Sequence, residues 1–195
     1  MLFRSRLFVS LAEQTAWLTG SDPDGAGTAF ADRIINYDFQ LAQQRGSNNR
    51  LLIDAWMSLN EPVRGPASFF DRQPDAETQA RYAALDQFQV AFLLRMRNAG
   101  LEAVAFNFAA GNFTAREDVV HWFPRTLEAY THLALHEYGW PTMMPRTGTE
   151  TACLYYRPVM DGIRAQHGDR HKLIITEAGL ARMYKHATDP AGDVG

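Results

Sequence analysis

Two glutamates stand at the ends of strand-like segments, where they could act together on one substrate. Glu61 follows the run Leu-Leu-Ile-Asp-Ala-Trp-Met-Ser-Leu-Asn, and Glu177 follows His-Lys-Leu-Ile-Ile-Thr. Two carboxyl groups delivered to one face by separate strand ends are what the cleavage of a glycosidic bond needs, because one serves as acid/base and the other as nucleophile. Since 116 residues separate the two glutamates, the elements between them must bring them together.

A histidine and a tyrosine fall at a strand end between these glutamates. His136 and Tyr138 are two positions apart, so they project from the same side of a strand. They could hydrogen-bond a carboxylate or a sugar hydroxyl, although His136 could equally be a packing residue. Glu137 projects from the opposite side and is not expected to be catalytic. A zinc-protease motif would need histidine at position 140, which is tryptophan, so no metal is expected.

Asparagine and aromatic side chains could complete a sugar-binding site. Asn60 precedes the first glutamate, and Asn107 and Asn112 flank a later loop. These amides could bind hydroxyl groups, although Asn107 could equally cap a turn. Trp140 lies in a predicted rim loop and is the preferred residue for stacking on a sugar ring. The other candidates for stacking are Trp56, Phe113 and Trp122, of which Trp122 is expected to belong to the core.

The composition excludes several functional classes. The chain has 195 residues, is 46% hydrophobic and has a formal net charge of −3, which indicates a globular domain without a basic footprint for nucleic acid or an anionic membrane. No apolar run approaches the roughly 20 residues that span a bilayer. The single cysteine, Cys153, excludes an internal disulfide and a cysteine zinc site. No nucleophile elbow or phosphate-binding loop is present, so no cofactor is expected.

Helical and strand-like patterns alternate from about residue 25, after a turn-rich segment at 22–27. The predicted strands are 51–57, 101–108, 133–138 and 172–177, and the predicted helices between them are 77–98, 117–130 and 150–166. The loops after strands are long and polar, while those after helices are short. This asymmetry favours a (β/α)8 barrel with its site at the carboxyl ends of the strands. A doubly wound sheet would show the same alternation, but a nucleotide-binding domain of that type would need a phosphate loop.

At these residues the chain resembles the clan A retaining glycoside hydrolases, a superfamily of (β/α)8 barrels. The resemblance implies that Asn60-Glu61 is the acid/base motif at the end of strand four and that Glu177 is the nucleophile at the end of strand seven. His136 and Tyr138 match a His-x-Tyr pair on strand six that cellulase-like members use beside the nucleophile. The implied activity is cleavage of a β-linked oligo- or polysaccharide by double displacement, with no metal or other cofactor.

This assignment of the predicted strands to barrel strands implies one incomplete barrel domain over residues 1–195, with strands three or four to seven present. The N-terminal strands and strand eight would lie outside the chain, so the chain alone is expected to be inactive. The expected partners are a carbohydrate substrate and the missing barrel strands of a longer protein, with no nucleic acid and no membrane. Residues 1–5 are expected to be a sequencing or assembly scar, and localisation stays open. The alternative function is a non-catalytic carbohydrate-binding barrel.

Overall fold

A computed structural model describes residues 3–4, 9–41, 53–65, 74–113, 115–139, 154 and 156–180. Five strands form the sheet: β1 (Phe3–Arg4), β2 (Ala55–Met57), β3 (Ala103–Phe108), β4 (His132–Gly139) and β5 (Lys172–Leu180). Within the described residues, six α-helices accompany them: α1 (Leu11–Thr19), α2 (Pro23–Leu41), α3 (Ala76–Asn98), α4 (Asp118–Trp122), α5 (Pro124–Ala129) and α6 (Tyr156–His167). None of these described helices is long and apolar enough to cross a membrane.

The strands lie in the order β1-β2-β3-β4-β5, and every neighbouring pair is parallel. Strands β2 to β5 form a curled half-barrel, and the two-residue β1 pairs at the β2 edge. The alternation of strands and helices predicted from residue 51 onward is therefore confirmed. A doubly wound sheet reverses its strand order at a switch point, and this sheet does not. The expectation that residues 1–5 are a sequencing or assembly scar stays a prediction.

The two faces of the sheet carry different residues. The face away from the helices buries a small cluster of Ala55, Met57, Val104 and Ala134, against which Ile174 packs. The opposite face and the helices share a large core that is rich in aromatic rings. Since side chains alternate along a strand, these two clusters define which positions point toward the interior of the half-barrel. We call the face with the small cluster the inner face.

Helix α2 begins earlier than the sequence predicted. The segment 22–27 was expected to be a turn, but the helix starts at Pro23 and the Asp22 carboxylate accepts a hydrogen bond from Gly25 N at 2.8 Å. Proline is favoured in the first turn and aspartate at the cap, so these turn-forming residues start a helix here. Gly27 lies against the backbone carbonyl of Phe88, where a Cβ atom would overlap that oxygen. The close crossing of α2 and α3 therefore requires glycine.

The predicted helix 117–130 is divided into α4 and α5. Phe123 between them has φ −130° and ψ 49°, which is not helical, and Pro124 begins α5. Proline disfavours helical geometry in the residue before it, so the break falls at Phe123. The prediction of a helix at 77–98 is confirmed by α3. For the predicted helix 150–166, the structure shows α6 from Tyr156, and the residues between 149 and 156 other than Leu154 lie outside the described ones.

Candidate active site

The carboxyl ends of β2 and β3 carry strained backbone. Of the four described residues other than glycine with positive φ, three lie here: Glu61 at 46°, Phe106 at 77° and Asn107 at 54°. Left-handed geometry costs about 1–3 kcal/mol at a residue with a side chain, and such strain concentrates at functional sites. Glu61 N donates to Asn107 O at 3.1 Å, which ties the two strained segments together.

A bulge in β3 turns Asn107 toward the inner face. Val104 belongs to the inner cluster, so simple alternation would place Phe106 on the inner face and Asn107 among the helices. The pairing of β3 with β4 instead shifts register between Phe106 and Phe108. Phe106 consequently packs in the aromatic core, and the Asn107 side chain meets residues of the inner face. Re-aiming a side chain in this way is a common use of a bulge.

A second irregularity, in β5, turns Glu177 toward the inner face. Leu135 pairs with Ile175 and His136 pairs with Glu177, so Thr176 is the extra residue in β5. Ile174 packs with the inner cluster, and strict alternation from it would turn Glu177 away from the inner face. The extra residue restores Glu177 to the side on which His136 lies. Both bulges therefore direct a polar side chain into the same region.

His136 lies between the two glutamates that the sequence singled out. Its side chain is fully buried, and Nδ1 lies 2.8 Å from Glu61 Oε1 and 3.6 Å from Glu177 Oε2. Nε2 lies 3.1 Å from Asn107 Oδ1. The side chains of Glu61 and Glu177 are 44% and 34% exposed, so both carboxyl groups remain open to a substrate. Three separate strand ends thus supply a buried imidazole and two accessible carboxyl groups.

The hydrogen bonds around Asn107 determine where protons lie on His136. Asn107 Nδ2 donates to Asn60 Oδ1 at 2.6 Å, and Thr176 Oγ1 donates to Asn107 Oδ1 at 2.7 Å. With the amide in this orientation, Asn107 Oδ1 is an acceptor, so His136 Nε2 carries a proton. Nδ1 faces the carboxyl group of Glu61 at hydrogen-bond distance, and a second proton must lie between these two atoms. His136 Nδ1 and Glu61 Oε1 are therefore hydrogen-bonded to each other beside Glu177.

Tyr138 is a hydrogen-bond donor to the second glutamate. Its hydroxyl donates to Glu177 Oε2 at 3.0 Å. Burial raises the pKa of Tyr138 above its usual value, and the hydrogen bond to Glu177 and the charges of Glu177 and Glu61 raise it further. The phenol is therefore protonated at neutral pH and serves as a hydrogen-bond donor to the carboxyl group of Glu177.

The same arrangement could hold a metal ion. Glu61, His136 and Glu177 each offer one ligand atom, and these three atoms lie within 4.8 Å of one another. Carboxylate oxygen and imidazole nitrogen are ligands that several divalent metals accept. The sequence gave no sign of this group because its members come from three different strands and have no local spacing. The absence of a metal motif around His136 was therefore not sufficient to exclude metal ligation.

The remaining predicted binding residues have different surroundings. Asn60 is held by Asn107, as described above, and Asn112 Nδ2 donates to Val63 O at 3.0 Å. The Asn112 amide thus connects the loop after β2 to the loop after β3. Glu137 is buried on the opposite side of β4 from His136, where it accepts a hydrogen bond from Leu154 N. Its predicted orientation is confirmed.

The structure contradicts two of the predicted stacking residues. Trp56 is 1% exposed and makes an edge contact with Tyr37, and Phe113 is 4% exposed with its ring 4.4 Å from that of Phe108. Their positions in the large core leave no ring face for a sugar. Trp122 packs against the same core, as predicted. Trp140 lies outside the described residues, so its role stays a prediction.

Two residues in these networks were not expected from the sequence. The sequence marks Thr176 only as part of a strand end, but its hydroxyl donates a hydrogen bond to Asn107 Oδ1. Gln89 on α3 accepts a hydrogen bond from Phe106 N at 2.8 Å, inside the β3 bulge. Its position in a helix rich in core residues gave no sign of a link to the site.

No protein-family model, curated protein or solved structure matches the chain.

Proposed function

We propose that this chain carries the catalytic centre of a retaining glycoside hydrolase acting on a β-linked oligo- or polysaccharide. The observation that carries the proposal is the proximity of one carboxylate oxygen of Glu61 to one of Glu177, which lie within 4.8 Å of each other. Retaining enzymes place their carboxyl groups about 5–5.5 Å apart, whereas inverting enzymes leave about 6.5–9.5 Å for a water molecule. Oxygens of Glu61 and Glu177 this close to each other support the retaining arrangement, in which a carboxylate attacks directly.

Glu177 is the proposed nucleophile. Its carboxylate attacks the anomeric carbon as the glycosidic bond breaks, and Glu61 gives a proton to the departing oxygen. In the second half of the reaction, Glu61 takes a proton from water, which attacks the same carbon and releases Glu177 from the sugar. The hydrogen bond from Tyr138 supports this role because it favours an ionised Glu177 before each cycle.

His136 completes the proton path in this proposal. The proton that it shares with Glu61 is available to the leaving group in the first step and is recovered from water in the second. Its proton on Nε2 stays bound to Asn107, so the ring orientation does not change during the cycle. Glu61 then acts as the acid/base and Glu177 as the nucleophile within one site. These two roles require different surroundings for the two carboxyl groups.

Substrate binding is proposed to use residues beside these carboxyl groups. Asn60 and Asn107 form a hydrogen-bonded pair next to Glu61 and would meet hydroxyl groups of the sugar bound there. Asn60 would contact the 2-hydroxyl, a contact that strengthens in the transition state. Trp140 follows β4 directly along the chain and is proposed to stack on a sugar ring.

Turnover is proposed to need more strands than the half-barrel contains. The outer edges of β1 and β5 have no partner strand among the described residues. A sugar-cleaving barrel closes its sheet and builds its site from all of its strand-end loops. We therefore expect the isolated chain to show no turnover. The protein to assay is the longest natural protein that contains this chain.

Chemical rescue separates the two proposed roles. Glu177→Ala should abolish hydrolysis of an aryl β-glycoside, and added azide should restore reaction and give the α-glycosyl azide. Glu61→Ala with an activated aryl glycoside should give the β-glycosyl azide, because the sugar is first transferred to Glu177. Glu137→Gln is the matched control, since it keeps an acceptor for Leu154 N on the other side of β4 and should retain turnover.

Other outcomes would point elsewhere. Sugar binding without turnover by the parent protein would support a non-catalytic carbohydrate-binding barrel. Turnover that disappears with a chelator and returns with a divalent cation would instead support a metal centre at Glu61, His136 and Glu177. An unchanged rate in Glu177→Ala would contradict the assignment of the nucleophile.

A further inference from the structure

Gln89 is a buried polar residue with one well-defined partner. It lies on α3 with 0% exposure, and its Oε1 accepts a hydrogen bond from Phe106 N at 2.8 Å. Its Nε2 is buried and makes no hydrogen bond among the described residues. A buried amide that uses only its oxygen is costly to maintain, which suggests that the bond to Phe106 has a specific purpose.

The Phe106 N–H belongs to the bulge that aims Asn107. Phe106 has φ 77°, and the β3–β4 register shifts just beyond it. A buried backbone N–H must find an acceptor, and the side chain of Gln89 provides one from the helix behind the strand. The bulge is therefore stabilised from outside the sheet, by a residue that does not itself reach the inner face.

The connection continues from the bulge to the histidine. Asn107 follows Phe106 directly, and its Oδ1 accepts from His136 Nε2 and from Thr176 Oγ1. If the bulge relaxed to regular alternation, Asn107 would turn toward the helices and His136 Nε2 would lose this acceptor. The preference for a proton on Nε2 would then be lost as well.

We propose that Gln89 is a positioning residue that holds the β3 bulge and thereby fixes Asn107 and the proton-bearing nitrogen of His136. Its effect on turnover rests on the proposed hydrolase function, whereas its effect on His136 does not. The backbone of α3 is itself anchored at this point, because Tyr130 Oη donates to Gln89 O at 2.7 Å.

Nitrogen NMR of histidine rings tests the proposal without relying on activity. The longest natural protein containing this chain is labelled with ¹⁵N-histidine, and the His136 signals are assigned by their loss in His136→Gln. Gln89→Met removes the acceptor for Phe106 N and should change both ring-nitrogen shifts of His136. Gln89→Glu keeps an oxygen at this position and should leave them close to the parent values. Thr126→Val is the control, because it removes a buried hydrogen bond to the α3 backbone at Asp86 and does not involve Gln89 or the bulge.

Kinetics give a second readout. If the parent protein turns over an aryl glycoside, Gln89→Met should lower kcat about 10- to 100-fold with little change in KM, because a small displacement of catalytic groups has effects of this size. Gln89→Glu should recover most of that loss. A changed His136 spectrum in Gln89→Met beside an inactive parent protein would refute the hydrolase proposal and leave the positioning role standing.

Unchanged His136 signals in a folded Gln89→Met protein would overturn the proposal, as would an equal change in Thr126→Val. If Gln89→Met does not fold, the Phe106 amide in Gln89→Glu decides the matter. Exchange of a carboxamide acceptor for a carboxyl group should move the amide proton resonance of Phe106, and an unmoved resonance would overturn the proposal.

Discussion

Tyr138 is the residue whose contribution to the site is simplest to isolate. Its hydroxyl is the donor that Glu177 Oε2 accepts, and the rest of the ring stays in place when that oxygen is removed. A hydrogen bond to a charged group contributes about 1.5–3 kcal/mol. We therefore expect Tyr138→Phe to lower kcat/KM about 10- to 100-fold in assays with an aryl β-glycoside.

The control for this change is Tyr156→Phe, on a helix outside the site. Tyr156 is half-buried at the start of α6 and packs against the large core. The kcat/KM of the Tyr156→Phe variant should match that of the parent protein. Equal kcat/KM for the parent and Tyr138→Phe would show that the phenol does not assist Glu177 during the reaction.

His171 provides a pH test of the fold. Burial, together with the neighbouring charges of His167 and Arg170, lowers the pKa of His171 from 6.5 to about 4. The unfolded chain therefore binds a proton that the folded chain refuses as the pH falls from 6.5 toward 4. The free energy of unfolding should decrease as the pH falls through this window. Below about pH 4, His171 should cause no further decrease.

Urea unfolding at several pH values measures this effect. Replacing the ring in His171→Phe should flatten the decrease between pH 6.5 and 4, the window set by the two pKa values. His121 is exposed, so His121→Gln should keep the parent slope. Parallel curves for the parent and His171→Phe would contradict the assignment.

The sequence could indicate which residues belong to the candidate site, but it could not indicate how they are connected. Glu61 and Glu177 could be found because each ends an apolar run, and His136 and Tyr138 because their spacing places them on one side of a strand. The contact of His136 with both carboxyl groups depends on the left-handed backbone of Glu61, which precedes Pro62, and on the bulge in β5, which no glycine or proline marks at the extra residue Thr176. Thr176 was missed for the same reason.

At the scale of elements, α5 depends on a carboxylate supplied by α3. Asp86 is buried and accepts hydrogen bonds from Thr126 N at 2.7 Å and from Arg125 N at 3.2 Å. It therefore caps the first turn of a helix that begins with proline and has no capping side chain of its own. Without this acceptor, two N–H groups at the start of α5 would lose their partner.

We expect Asp86→Ala to lower the free energy of unfolding by about 1–3 kcal/mol, the usual cost of leaving a buried polar group unsatisfied. Urea unfolding at neutral pH provides the measurement. The control is Asp161→Ala, because Asp161 lies on the exposed side of α6 and pairs only loosely with Arg164 at 3.9 Å. Exposed pairs of this kind contribute little. Similar losses in the two variants would refute the capping role of Asp86.

The order of elements was predictable because each has a clear local pattern. The apolar spacing of α3 and the β-branched and aliphatic runs of β4 and β5 identify their type without reference to the fold. The two bulges could not be foreseen, since they depend on pairing between strands and, at Phe106, on an acceptor from α3. Simple alternation therefore gives the wrong orientation for Asn107 and for Glu177.

On the scale of the whole molecule, a parallel half-barrel places three strand ends at one rim. Glu61 follows β2, His136 and Tyr138 lie near the end of β4, and Glu177 lies near the end of β5. Because parallel strands finish at the same edge, residues far apart in the chain converge there. The curled sheet brings the ends of β2 and β5 within reach of each other, although two strands lie between them.

We propose above all that Glu177 forms a covalent bond with a sugar during the reaction. The most direct measurement treats the longest natural protein containing this chain with a panel of 2-deoxy-2-fluoro-β-glycosyl fluorides and locates the added mass by peptide mass spectrometry. We expect one sugar per protein molecule, bound to the carboxyl group of Glu177, and no labelling of Glu177→Gln. A sugar attached to a different residue, or hydrolysis of an aryl β-glycoside that persists in Glu177→Gln, would contradict the claim.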